Sequence, residues 1–232
     1  MPPAEVDRGG TLVGVSVRLP LFPLNTVLFP HMPAGLHIFE ERYREMIRDC
    51  QEQGTSFGVV GIREGLEAGR AAFPFGVGTL AQIHELEALD DGRFNLVVAG
   101  ASRFRVESMS LSRSYLVGTI HYLEDTRGDE AAIPELVRRA TLAFADYTAG
   151  LRNLADEAGD DGAATELPDD PELLSYLIAA SLNVEVNRRQ ELLEEDSVSG
   201  RLRKCLQMLR REAVFLDQML ARRDHIVPVS LN

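Results

Sequence analysis

Four prolines punctuate residues 19–36, LPLFPLNTVLFPHMPAGL, among leucines and phenylalanines. A proline fixes φ near about −65° and carries no amide donor, so a helix is excluded here and an ordinary central strand is disfavoured. Leu19, Leu21 and Leu24 are expected to face a core, as large apolar side chains in an extended segment do. Prolines 20, 23, 30 and 33 are expected to hold the backbone open and to discourage further strand pairing along an adhesive stretch.

Strand signals continue to about Asp125. The runs VSVRLPLF, GLHIF, SFGVVGI, FGVGTLAQIHELEAL, RFNLVVAGASRFRVESMS and YLVGTIHYLED, separated by Gly, Pro and Asp, predict about six strands. Asp90-Asp91-Gly92 predicts a tight primed turn that pairs the fourth strand with the fifth. Gly100, inside the long fifth run, predicts a bend or bulge that lets the sheet close as a small barrel. One helix interrupts the strands, with Phe39, Tyr43, Met46, Ile47 and Cys50 on one face.

After Gly128 the texture becomes helical: Ile133, Val137, Ala140, Leu142, Phe144, Tyr147 and Leu151 keep helical spacing. Three segments follow from this division: a tail at 1–13, a β domain at 14–127 and a helical domain at 128–232 with an acidic loop at 158–170. Asp170-Pro171 supplies an N-cap and a first-turn proline for the next helix, and VEVNRRQELLEE a short one. In the last helix, Leu202, Leu206, Leu209, Ala213, Leu216 and Leu220 form a seam, expected to pack within its own fold; a homo-oligomer contact through 199–222 is its second use.

Composition narrows the function. The formal net charge of −12 repels phosphate backbones and anionic lipid, which argues against nucleic acid and membrane as partners. Cys50 and Cys205 suggest neither a disulfide framework nor a zinc site, and no apolar run has the length of a signal or a span, so a cytoplasmic location is expected. The histidines at 31, 37, 84, 121 and 225 lack metal-ligand spacing, and neither a P-loop nor a G-x-G-x-x-G is present. No metal, cofactor or catalytic residue is therefore expected. Residues 54–58, GTSFG, match the G-x-S-x-G of a nucleophile elbow, but a helix precedes Ser56 and a strand follows it, the reverse of what the elbow requires. A helix C-cap at Gly54 is the favoured reading, with a hydrolase using Ser56 as an alternative.

The segment LPLFPLNTVLFPHMPAGLHIFEERYREMI resembles the opening motif of the Lon protease N-terminal, substrate-binding domain family. FGVVGI at 57–62, VGTLAQI at 77–83 and NLVVAGASRFRV at 95–106 resemble its next core strands. Gln190, Leu192, Leu193, Glu194, Arg201 and Leu202 match the pattern of its closing helices. The resemblance implies an α+β fold, a PUA-like β pseudo-barrel with one inserted helix followed by a C-terminal helical bundle. It also implies a free-standing, non-enzymatic binder of unfolded or partner polypeptides, without the family's ATPase and peptidase modules. RNA binding is the alternative that a PUA-like fold carries, with the acidic charge against it. Candidate peptide-binding residues are Phe29, His31, Met32 and Leu36 in and after the proline-rich loop, where Met offers adaptable contact, and Phe73 and Phe75 beyond the glycine-containing stretch at 65–72.

Overall fold

The first strand, β1 (Val17–Leu24), shows how the chain accommodates its prolines. It runs antiparallel to β6 (Leu116–Tyr122) from Val17 to Leu21 and parallel to β3 (Phe57–Glu64) from Leu21 to Leu24. Pro20 therefore lies beside β6 alone and Pro23 beside β3 alone. Each proline sits where the strand has one neighbour, the situation in which a missing amide forfeits least. Pro20 and Pro23 bracket Leu21, the residue at which β1 changes neighbours.

The computed structural model describes residues 16–65, 73–154 and 167–224. The N-terminal tail, the stretch at 66–72, most of the acidic loop and His225 lie outside them. Strand order is β2-β5-β4-β3-β1-β6, with β5 (Phe94–Ser110) also pairing β6, so five strands close on themselves. β2 (Pro33–Ile38) is attached outside that ring, antiparallel to Phe94–Ala99 of β5, and β4 (Phe73–Ala88) completes the sheet. The register of β4 on β5 shifts between Thr79 and Ala81, opposite Gly100 to Arg103, which places the expected bulge at Gly100. The β4–β5 turn differs from the expected primed type. Only Gly92 has positive φ, at 78°, and its amide donates to the Leu89 carbonyl over 2.8 Å, the longer hairpin loop with glycine in the left-handed position.

Alternate residues of β1 enter two cores. Leu19 and Leu21 pack with Val60, Phe104 and Ile120, whereas Phe22 and Leu24 join a larger cluster with Ile38, Phe57 and Leu96. Helix α1 (Glu41–Gln53) adds Tyr43, Met46, Ile47 and Cys50 to the larger cluster and ends at Gly54, in the left-handed conformation at φ 61°. Phe39, expected on this buried face, precedes the helix and is 57% exposed.

Two compact units divide the chain, one reaching to Glu124 and including Glu185–Glu194, the other made of Asp125–Val184 and the residues from Glu195 onward. The division departs from the single expected boundary at 127/128, because helix α4 (Val186–Leu193) packs with the strands. The Gln190 amide donates to the Val77 carbonyl over 3.0 Å, and the buried Arg103 guanidinium donates to the Leu193 carbonyl over 2.8 Å. Leu192 and Leu193 are buried.

The second unit holds α2 (Ile133–Leu154), α3 (Pro171–Ser181) and α5 (Val198–Asp224). Leu202, Leu206, Leu209 and Leu216 of the α5 seam are buried, and α2 and α5 pack against each other, so the seam serves its own fold. Leu142, counted in the apolar pattern of α2, is 56% exposed instead. Asp170 caps α3 by accepting the Leu173 amide over 2.8 Å, with Pro171 in the first turn. Asp170→Ala is expected to lower stability by about 1 kcal/mol, read as a shift in the urea midpoint with unchanged slope.

Candidate functional site

Between β1, β2 and the start of α1 lies an open groove of about 250 Å³, the space of roughly eight water molecules at bulk density. Its floor is built by Phe22 and Leu24 from β1 and Tyr43 from α1. Phe22 holds this floor rigid, with its ring centroid 4.4 Å from that of Tyr43 and 6.1 Å from that of Phe57. The Arg42 guanidinium lies 4.4 Å from the Tyr43 ring centroid and pairs with Glu40 over 2.9 Å, which fixes the turn from β2 into α1. Gly35 to Ile38 of β2 form one wall, and Phe39 and Glu40 close one end.

The polar side chains lining the groove are few: Thr26, His37, Glu40 and, through its hydroxyl, Tyr43. His37 is held in place by Asn95, its Nδ1 lying 2.7 Å from Asn95 Oδ1 while Asn95 donates to Glu87 over 2.8 Å. Its ring stacks on Phe39 at 6.1 Å. Such a surface can bury apolar side chains.

Residues proposed from sequence fall into three places. Leu36 is half-buried in the groove wall. His31 and Met32 lie in the turn just before β2; His31 is exposed with φ 64°, and Met32 is half-exposed. This turn is pinned to β5, since the His31 amide donates to the Gly100 carbonyl over 2.8 Å and the Gly100 amide to the Met32 carbonyl over 3.0 Å. Phe29 is 1% exposed, with the Arg189 guanidinium 5.7 Å from its ring centroid, so it supports the loop from inside and is withdrawn as a contact residue. Phe73 is exposed opposite Glu64 at the start of β4, and Phe75 packs beside Gly61 and Gln190; neither reaches the groove.

Sequence reasoning missed Phe22, Phe39 and Tyr43. Phe22 stands in the same LPLFPL run as the leucines assigned to the core, and Phe39 directly precedes the helix. The signal was present as apolar residues of both alternating phases in β1, which means burial on both faces.

The alternative nucleophiles are poorly placed. Ser56 follows the left-handed cap of α1 and leads into β3; it shares a shallow depression with His84, but among the described residues no hydrogen bond joins them. Burial pushes the Cys50 thiol up to about 11 and the Cys205 thiol up to about 12, so both stay protonated at neutral pH. Among the described residues, no group of three or more His, Cys, Asp or Glu could hold a metal ion, and no helix is long and apolar enough to cross a membrane.

The family model of the ATP-dependent protease La (LON) substrate-binding domain matches residues 18–211. This chain belongs to that family. The Lon protease of Anaeromyxobacter dehalogenans is 30% identical over 225 residues, covering 93% of this chain and 25% of that protein, and the Lon protease of Escherichia coli is 28% identical over 201 residues. The chain thus spans about a quarter of the length of the curated relatives it matches. The crystal structure of a Lon N-terminal domain protein from Xanthomonas campestris superimposes with a TM-score of 0.60 at 29% identity, covering 82% of this chain and 98% of the other. The N-terminal domain of a Mycobacterium avium complex Lon protease gives 0.63 at 17% identity, covering 84% and 98%, a likeness of fold. The α+β architecture expected from the sequence is the architecture of these domains.

Proposed function

We propose that this protein binds polypeptides by their exposed apolar segments, through the groove between β1, β2 and α1, and acts as a recognition module rather than by turnover. The observation that carries the reading is the groove itself: a rigid aromatic floor beside an exposed Phe39, with few polar groups. An apolar side chain entering it gains about 25 cal/mol for each Å² removed from water, offset by the ordering of a flexible ligand, so weak to moderate affinity is expected. Membership of a family described as substrate-binding supports the same reading. His31 and Met32 extend the surface beyond the groove wall.

Fluorescence anisotropy of a labelled, permanently unfolded polypeptide tests it. Saturable binding that persists at high salt is expected, with little binding of labelled RNA, whose affinity would fall steeply as salt rises. Leu36→Asp combined with Phe39→Ala is expected to weaken polypeptide capture by at least roughly tenfold, because a charge then sits in the wall and an exposed aromatic is gone. Capture at wild-type strength by this folded variant would remove the groove from the site.

A further inference from the structure

Among the described residues, β2 is the end of the strand order and pairs with β5 alone. Its ladder runs through six successive pairs, Pro33 with Ala99 to Ile38 with Phe94, without a register shift, whereas the ladders of β4 with β3 and of β5 with β4 and β6 each contain one or more. Its sequence, PAGLHI, carries no charged residue. Natural sheet edges are blunted by charge, bulges or a covering element, because a flat bare edge is a template for pairing with another chain. Here only Pro33, at the strand's start, serves that purpose.

The direction of the free hydrogen-bonding groups follows from the register. The Gly100 amide donates to the Met32 carbonyl. The two-residue period of an antiparallel ladder then carries the β5 bonds to Ala34, Leu36 and Ile38. The amides and carbonyls of Gly35 and His37 are left on the far edge, and both residues line the groove. Leu36 and Ala34 turn inward with Leu96 and Val98, so the groove floor continues the inner face of this sheet edge. Around Gly35 there is open space, with no atom of the described residues, its two chain neighbours aside, within 4 Å of where a Cβ would stand.

We infer that the polypeptide bound in the groove is held as an added β-strand on the free edge of β2, hydrogen-bonded to the backbone of Gly35 and His37, with alternate side chains on Phe22, Leu36 and Tyr43. The inference rests on the polypeptide-binding reading above and specifies its ligand. The occupant is an extended segment with apolar residues at alternate positions. Charge complementarity sets its flanks: with a net charge of −12 on the protein, they are basic or neutral rather than acidic. Main-chain bonds give such a site tolerance of sequence, while the groove selects alternate side chains.

The test uses a labelled peptide of alternating valine and serine with arginine at each end, and two derivatives N-methylated on every second residue, one in each phase. One phase turns its methyl groups to the protein edge and the other to solvent. Methylation in one phase only is expected to weaken binding by roughly tenfold or more, the worth of at least one hydrogen bond, and Gly35→Pro is expected to do the same to the unmethylated peptide. Gly35→Ala, which keeps the amide, is expected to weaken binding less than Gly35→Pro does. Gly35→Pro removes an amide that faces away from β5, so the ladder survives; should it unfold nevertheless, the two methylated peptides on the wild-type protein still decide. Equal binding of both phases, with the Leu36→Asp effect intact, would overturn strand addition while leaving the groove as the site. Binding of the unfolded polypeptide but not of the alternating peptide would overturn it as well. So would a dimer that Gly35→Pro dissolves without a phase effect, which would assign the edge to a second copy of the chain. Failure of every polypeptide to bind would remove both readings together.

Discussion

Replacing Arg201 with alanine is expected to destabilise the helical unit by about 3–5 kcal/mol, the cost of stranding one member of a buried ion pair. The Arg201 side chain is 0% exposed and that of Asp125 11%. Both terminal nitrogens of Arg201 donate to Asp125 Oδ1, over 3.0 and 2.9 Å, and its Nε donates to Ser175 Oγ over 2.8 Å. A further bond runs to the Glu195 carbonyl over 2.9 Å, and the guanidinium lies 3.7 Å from the Tyr176 ring centroid. Tyr176 donates its hydroxyl hydrogen to the other Asp125 oxygen, so removing Arg201 strips a shielded carboxylate of the guanidinium that balances its charge. Arg201→Lys keeps the charge but not the planar fork, and an intermediate loss is expected. Adding Asp125→Asn to Arg201→Met is expected to recover part of the stability lost in the single variant, since the stranded charge is then gone. Urea denaturation followed by far-ultraviolet circular dichroism measures each member of the cycle. A loss of less than about 1 kcal/mol for Arg201→Ala would show that water replaces the guanidinium and that the network is not what holds α5 in place.

Arg201 also shows where sequence reading stops. It was recognisable as part of a family pattern, yet in an amphipathic helix an arginine reads as a solvated charge, and its partner lies 76 positions away. Elements set by local chemistry were legible: the strands by their alternation, α1 by the spacing of Tyr43, Met46, Ile47 and Cys50, and α3 by Asp170-Pro171. Features set by neighbours were not. Periodicity reports which face of an element is apolar, not what covers it, so Leu192 and Leu193 could not show that α4 packs with the strands. Phe29 illustrates the same limit from the other side. An aromatic residue beside a proline in a loop reads as exposed, and only the closeness of Gly100 and Arg189 shows it buried. Groove residues were legible in part, as Leu36, because the floor is assembled from Phe22 and Tyr43, which come from separate elements.

Gly100→Ala is expected to be the most damaging single methyl group in the barrel, with a loss of about 3 kcal/mol or more, or failure to accumulate as folded protein. A Cβ on Gly100 would stand 2.1 Å from the Phe29 carbonyl oxygen and 2.8 Å from the carbonyl carbon, with Thr79 Cγ2 at 3.2 Å. The two nearest atoms are backbone and cannot rotate away. Nor can Gly100 itself withdraw, because its amide and its carbonyl are bonded to Met32 and His31, and the β5 bulge begins at the same place. Gly76→Ala is the matched control, where no atom lies within 4 Å of the new carbon. The contact also bears on function, since the bonds to Gly100 hold the turn that delivers β2 to the groove. A folded remnant of Gly100→Ala is therefore expected to lose polypeptide binding along with stability, whereas Gly76→Ala keeps both. Thermal unfolding of the pair, with anisotropy on whatever remains soluble, separates the outcomes. A Gly100→Ala protein that melts with the wild type would mean that the approach of Phe29 to β5 is looser than the structure shows, and that the turn before β2 is not fixed by it.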